Sequence, residues 1–234
     1  IDEGLKVHTD KVGQVYVTGH TNSPGASFQV QQQNNGYVSS TAIGNEGFIL
    51  KFDNTGARKW ATLYGGAGDD YVTSATTDSV GMLVVAGFTT SGNLPVLNSG
   101  SGTYYQPTSS GGTDGFIARF NNSTTFNNST YIGGAGNDYI NDVTTGLAGE
   151  YLFTGRTSSS NFPIVALPGF SYNQATLAGS YDAFIFKFRN DLQLKWSTYF
   201  GGSDLDVGTG VTTDEDGRLY ITGFTFSNNF PLDS

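Results

Sequence analysis

Tyr64-Gly65-Gly66-Ala67-Gly68-Asp69-Asp70-Tyr71 returns as Ile132-Gly133-Gly134-Ala135-Gly136-Asn137-Asp138-Tyr139, and again as Phe200-Gly201-Gly202-Ser203-Asp204-Leu205-Asp206-Val207. Gly65, Gly133 and Gly201 stand 68 positions apart. A second motif, Thr-Gly-x-Thr (Ala-Gly-Phe-Thr in the second repeat), keeps the same step at Gly19, Gly87, Gly155 and Gly223. A third keeps it at Phe48-Ile49, Phe116-Ile117 and Phe184-Ile185. Three motifs sharing one period without drift make the 234 residues a tandem array. The register divides it into repeat one (1–69), repeat two (70–137), repeat three (138–205) and a partial fourth (206–234). Asp70 projects back onto Asp2, and Phe162-Pro163 projects forward onto Phe230-Pro231, so the sequence reads as a window on a longer array.

Each period reads as four strands. In the second, residues 71–77 follow the Gly-Gly loop, and 82–89 form a nearly continuous apolar run of the kind covered on both faces. Residues 115–120 and 129–132 supply the third and fourth strands. Asp78-Ser79-Val80-Gly81 is a hairpin turn, matched by Asp10-Lys11-Val12-Gly13 and Asp214-Glu215-Asp216-Gly217. A four-stranded sheet with two apolar faces cannot bury both alone, so it must stack on copies of itself. The pattern predicts an all-β chain: a partial β-propeller of about three and a half four-stranded antiparallel blades.

Composition agrees. Gly 33, Tyr 13 and Phe 17, with only 13% charged residues, suit short strands and tight turns and exclude helical bundles. A formal net charge of −9 without a basic cluster excludes nucleic acid as a partner. The sequence has no apolar run long enough for a transmembrane helix, so direct membrane insertion is not expected. Cys 0 removes disulfides and thiolate metal sites and suits an oxidising exterior.

The motif series resembles the SBBP-type, seven-bladed β-propeller repeat. It runs Gly-Gly-x-x-x-Asp, Asp-x-x-Gly-x-Leu/Val-Tyr-x-Thr-Gly-x-Thr, Asn-x-Phe-Pro, Asp-Ala/Gly-Phe-Ile-x-Lys/Arg-Phe and Trp-Ser/Ala-Thr-x-Tyr/Phe-Gly-Gly. The stretch from Tyr199 to Pro231 carries it most fully. The first period departs from it at Pro24, and the third has Gly146 where the turn Asp is expected. The resemblance implies an exported, cell-surface bacterial protein of the Bacteroidetes kind, and it assigns no reaction.

Two groups of residues are candidates for chemistry. Asp2, Asp70, Asp138 and Asp206 recur at the blade connection, and Glu46, Asp114 and Asp182 recur before the third strand. Their uniform recurrence favours carboxylates that accept backbone N–H bonds at tight turns. One calcium ion per blade is the alternative, and no other cofactor is expected; Asp214 and Asp216 are the weak metal candidates. Lys51, Arg119 and Lys187 also recur, and are expected to pair with a repeated carboxylate. His8 and His20 lack a ligand set at metal spacing and receive no metal or catalytic role. The sequence contains no nucleophile elbow, Walker loop or zincin helix, so no catalytic residue is assigned.

The second group lies in the 24-residue insertions between second and third strands, 22–45, 90–113 and 158–181. They are expected to crowd one rim of the propeller. Tyr37, Tyr104, Tyr105, Phe170 and Tyr172 would be binding anchors there, among adaptable polar neighbours. The expected role is a non-enzymatic extracellular module that binds or scaffolds cell-envelope proteins, surface proteins or glycans, alongside the remainder of its own longer chain. A glycan-active enzyme using rim carboxylates, and a structural spacer in a large surface adhesin, are the alternatives.

Overall fold

The computed structural model describes residues 1–23, 28–34, 36–39, 44–169 and 172–232. The first blade consists of β1 (Asp2–Thr9), β2 (Val15–Thr21), β3 (Glu46–Phe52) and β4 (Arg58–Tyr64). The second is β5 (Asp70–Thr77), β6 (Leu83–Thr89), β7 (Asp114–Phe120) and β8 (Phe126–Ile132). The third is β9 (Asp138–Thr145), β10 (Tyr151–Thr157), β11 (Asp182–Phe188) and β12 (Leu194–Phe200). A half-blade, β13 (Asp206–Thr213) and β14 (Leu219–Thr225), follows. Each full sheet is antiparallel with its strands in sequence order, and the arc is open, as an incomplete propeller must be.

The core lies between blades. One cluster joins Ile49, Trp60 and Tyr64 of the first blade to Val72, Phe116 and Phe120 of the second. Another joins Val84, Ile117 and Ile132 to Ile140, Phe153 and Phe184 across the next junction. Strand β7 is buried along its whole length because it has a sheet on either side. At the open ends core positions face outward: Val7, equivalent to buried Ala75 and Val143, is 63% exposed, and Tyr220, equivalent to buried Val84 and Leu152, is 50%.

The Thr-Gly-x-Thr glycine has a steric cause. In every blade the first strand carries a β-bulge opposite it, between Gly4 and Lys6, between Val72 and Ser74, opposite Thr154 and Gly155, and between Gly208 and Gly210. The bulge drives a first-strand carbonyl toward the glycine. A Cβ on Gly87 would stand 1.8 Å from the Tyr71 carbonyl oxygen, and one on Gly155 1.8 Å from that of Tyr139. No side chain fits there, so the motif records a close backbone approach. The bulged residues then tie the blades together. Thr73 Oγ1 donates to the Ile140 carbonyl (2.7 Å), and Asn141 Nδ2 donates to the Gly208 carbonyl (2.7 Å).

The second and third insertions begin and end beside the Gly-Gly loops, as expected, but their middle stretches leave that rim. Each turns back along the fourth strand and pairs with its outer edge. Gln31 exchanges both backbone bonds with Ala61 (2.9 Å each), and Leu97 does so with Ser129 (3.2 and 3.0 Å). Tyr199 N–H donates to the Gln174 carbonyl (3.1 Å) and Ser197 N–H to that of Val165 (2.9 Å). A bare edge strand invites pairing with another chain, and this local covering answers that hazard. Replacing Gly87 with Ala should lower unfolding stability by about 1–3 kcal/mol, from forced displacement of the β5 bulge. Urea denaturation followed by tryptophan fluorescence measures it, and an unchanged midpoint would refute the steric account.

Candidate functional site

The recurrent acids build the junctions. Asp70 accepts from Gly66 N–H (2.7 Å), Ser91 Oγ (2.9 Å) and Thr89 Oγ1. Asp138 does the same with Gly134 N–H (2.8 Å), Ser159 Oγ (2.7 Å) and Thr157 Oγ1. Asp206 accepts from Gly202 N–H (2.7 Å) and Ser227 Oγ (2.8 Å). The carboxylate thus joins its own Gly-Gly loop to the end of the second strand. The asparagine of Asn-x-Phe-Pro caps the same loop: Asn161 Oδ1 accepts Ala135 N–H (2.8 Å), and Asn229 Oδ1 accepts Ser203 N–H (2.9 Å).

The second series of acids closes on the first around a glycine. Asp114 accepts from Ser110 N–H (2.8 Å) and Gly111 N–H (3.3 Å), and Asp182 from Ala178 N–H (2.8 Å) and Gly179 N–H (2.9 Å). A Cβ on Gly133 would lie 2.1 Å from Asp114 Oδ1 and 2.7 Å from Asp138 Oδ2, so only glycine fits between them. Burial pushes the carboxyls of Asp70, Asp114, Asp138 and Asp182 above the ordinary range, against the opposing pull of these hydrogen bonds.

Asp214 is a turn residue. Its Oδ1 accepts from Asp216 N–H (3.0 Å) and Arg218 N–H (2.8 Å), as Asp10 and Asp78 do in their own turns. Its Oδ2 and that of Asp216 face the Arg218 guanidinium at 3.2 and 2.7 Å. A cation already occupies the place proposed for a metal, and no group of three or more potential ligands forms among the described residues. Lys51, Arg119 and Lys187 do not share a carboxylate partner as expected. Lys51 Nζ donates to the Asn122 carbonyl of the next blade (3.0 Å), Arg119 lies over the Tyr151 ring, and Lys187 pairs with Glu150 (2.6 Å).

The tyrosines proposed as binding anchors mostly fasten blades. Tyr37 N–H donates to the Thr124 carbonyl in the β7–β8 turn (2.8 Å), and its ring packs on Phe120 and Phe126. Tyr104 N–H donates to the Leu192 carbonyl in the β11–β12 turn (2.8 Å), and its ring meets Phe188 edge-on. The receiving residues Thr124 and Leu192 hold φ of 63° and 60°, the conformation that Gly56 takes in the first blade. Tyr172 packs on Phe200 of its own blade, beside the surface left open by the half-blade. Tyr105 is half-buried, and its side chain makes no hydrogen bond or ring pair among the described residues. Phe170 lies outside the described residues.

A feature missed in the sequence lies where the first strands converge. Lys6, Ser74 and Asp142 occupy one repeat position and meet directly: Lys6 Nζ and Ser74 Oγ both donate to Asp142 Oδ1 (2.6 and 2.7 Å). Asp142 Oδ2 accepts Val211 N–H from the half-blade (3.0 Å). Beyond this polar knot the ends of β1, β5 and β9 and their hairpin turns surround a cavity of about 410 Å³. The signal was available in the sequence as unlike residues at one repeat position.

Residues 195–231 match the model of a family described as beta-propeller repeat, SBBP. With the all-β architecture, the match fits an SBBP-type propeller repeat protein. No curated protein matches the chain significantly.

The raised carboxyls fix a pH dependence. A carboxyl that holds its proton more tightly when folded contributes stability at low pH, and that contribution is lost as pH rises past the unfolded value of about 4 toward the folded one. Asp53 and Asp214, held low by their partners, oppose this in more acidic solution, and His8, which burial keeps below the usual histidine range, opposes it near pH 6 as one group against four. The urea midpoint should therefore be higher near pH 5 than near pH 8, and Asp114→Asn should reduce the difference. A midpoint that rises steadily from pH 5 to 8 in a His8→Thr background, where the buried imidazole is gone, would contradict the burial account of the carboxyls. Tyr104→Ala should cost about 2–3 kcal/mol, while Tyr105→Ala should stay within about 0.5 kcal/mol, in the same denaturation assay.

Proposed function

Taking the chain as an SBBP-type β-propeller, we propose that it is a non-enzymatic extracellular module that binds or scaffolds proteins or glycans in a cell-surface or secretion-associated assembly. One observation carries the reading. The carboxylates of Asp70, Asp138 and Asp206, which a glycan-cleaving enzyme would need free, each accept a backbone N–H and a hydroxyl at a blade junction. Their chemistry serves construction.

A stiff stack of sheets with covered outer edges suits presentation. Binding residues are commonly carried on turns held by such a scaffold. The absence of cysteine suits an oxidising exterior, where a stray thiol is a hazard.

The test is affinity capture from a cell-envelope fraction, run beside a glycan array and a hydrolysis assay on the same glycans. Saturable capture of an envelope protein or a glycan without turnover is the expected result. Turnover abolished by Asp138→Asn in a folded variant would replace this reading with an enzymatic one. Neither capture nor turnover would leave the chain a spacer.

A further inference from the structure

The repeat makes it possible to separate residues required by the fold from residues that need another explanation. A side chain that does the same structural work in each blade recurs at one position, as the junction acids do, while unlike residues at one position do individual work, as in the Lys6, Ser74 and Asp142 knot. Around the axial cavity the recurrence breaks. His8 stands where the other repeats have Thr76, Thr144 and Thr212. Lys11 and Leu147 stand at the position held by Ser79 and Glu215. His8, Lys11 and Leu147 all line the cavity.

The lining has a definite chemistry. Thr9, Thr76, Thr77, Ser79, Thr144 and Thr145 bring hydroxyls to the wall. Each hydroxyl can donate once and accept twice. Thr76 Oγ1 and Thr145 Oγ1 lie 3.0 Å apart, which leaves acceptor capacity on both. The tautomer of His8 follows from its neighbour. Thr77 N–H donates to His8 Nε2 (3.1 Å), with Thr77 Oγ1 2.8 Å from the same nitrogen. Nε2 is therefore the acceptor, and the proton sits on Nδ1, which makes no hydrogen bond among the described residues. Burial keeps the ring below the usual histidine range, with Asp10 pulling weakly the other way, so the imidazole is neutral near pH 7.

Charge limits the ligand further. Asp10 and Lys11 are the two formally charged residues in the wall, and they are opposite in sign. Asp10 Oδ1 is already engaged by Val12 and Gln14 N–H (3.0 and 2.8 Å). There is no paired-cation clamp for an anion. Leu147, 64% exposed, offers an apolar surface at the same mouth. Hydroxyl-bearing residues, one neutral donor and one aliphatic face match a compact molecule with both O–H and C–H faces. A volume of about 410 Å³ falls in the range of small-ligand sites, ~300–1,000 Å³.

We propose that this axial mouth is a binding site for a neutral saccharide unit, with the threonine hydroxyls and His8 Nδ1–H meeting its hydroxyls and Leu147 meeting its C–H face. The proposal rests on the reading of the chain as a binding module and names the ligand class and the site.

The experiment titrates the intact 234-residue chain, as an ¹⁵N-labelled sample, with neutral hexoses, N-acetylhexosamines and their disaccharides. Saturable amide shifts confined to residues 76–79 and 144–149 and the β1–β2 turn are expected. His8→Thr and Leu147→Ser place residues that the sister repeats already carry, so both should fold, Leu147→Ser with unchanged melting and His8→Thr slightly lower for loss of the Thr77 N–H acceptor. Each should weaken binding about tenfold. No shifts with any sugar, or shifts that His8→Thr leaves unaltered, would overturn the site. Shifts centred on Tyr105 would overturn it too, while leaving the binding-module reading intact. Envelope-protein capture without saccharide binding would have the same two consequences.

Discussion

A buried carboxylate at each blade junction holds the array together. Asp70, Asp138 and Asp206 sit four residues after the second glycine of the Gly-Gly pair and accept its N–H. The same side chains gather hydroxyls from the end of the second strand. A charge removed from water is costly unless its lone pairs are filled, so the loop must close around it or the junction cannot form. That closure sets where the next first strand begins. Everything downstream inherits the placement: the bulge, the close approach of Gly87 or Gly155, and the aromatic cores pinched between successive sheets.

The fold was legible because its determinants are local and repeated. The 68-residue step, the turn aspartates and the apolar second strands located β5 to β8 to within about three residues at each end. The junction acids were legible as structural, because the same carboxylate recurs beside the same glycines. The path of the insertions was not. It is set by pairing with β4, β8 and β12, a long-range match of backbone groups that leaves little trace in side-chain pattern. Tyr37 also sits one step out of register with Tyr104 and Tyr172, which hid their equivalence. Aromatic residues in polar loops look alike whether they meet a ligand or a neighbouring blade; only the position of Phe120 and Phe188 separates the cases.

The cations illustrate the same limit. Lys51, Arg119 and Lys187 recur as faithfully as the acids, yet each finds a different partner. Recurrence of a long flexible side chain fixes where it starts, and its neighbours decide where it ends. The axial mouth inverts the lesson. There the informative positions are those where one repeat departs from its sisters, as at His8 and Leu147.

Many ties between blades reach forward along the chain, while Tyr151 and Thr145 reach back to Asp78 and Thr77. Thr73, Ser74, Asn141 and Lys51 reach from one blade to its successor, and so do Tyr37 and Tyr104 through their loops. A chain leaving the ribosome presents the earlier blade first. That blade waits for the next 68-residue instalment before its latches find their strikes. Synthesis and assembly thus run the same way, each new sheet locking the one already made.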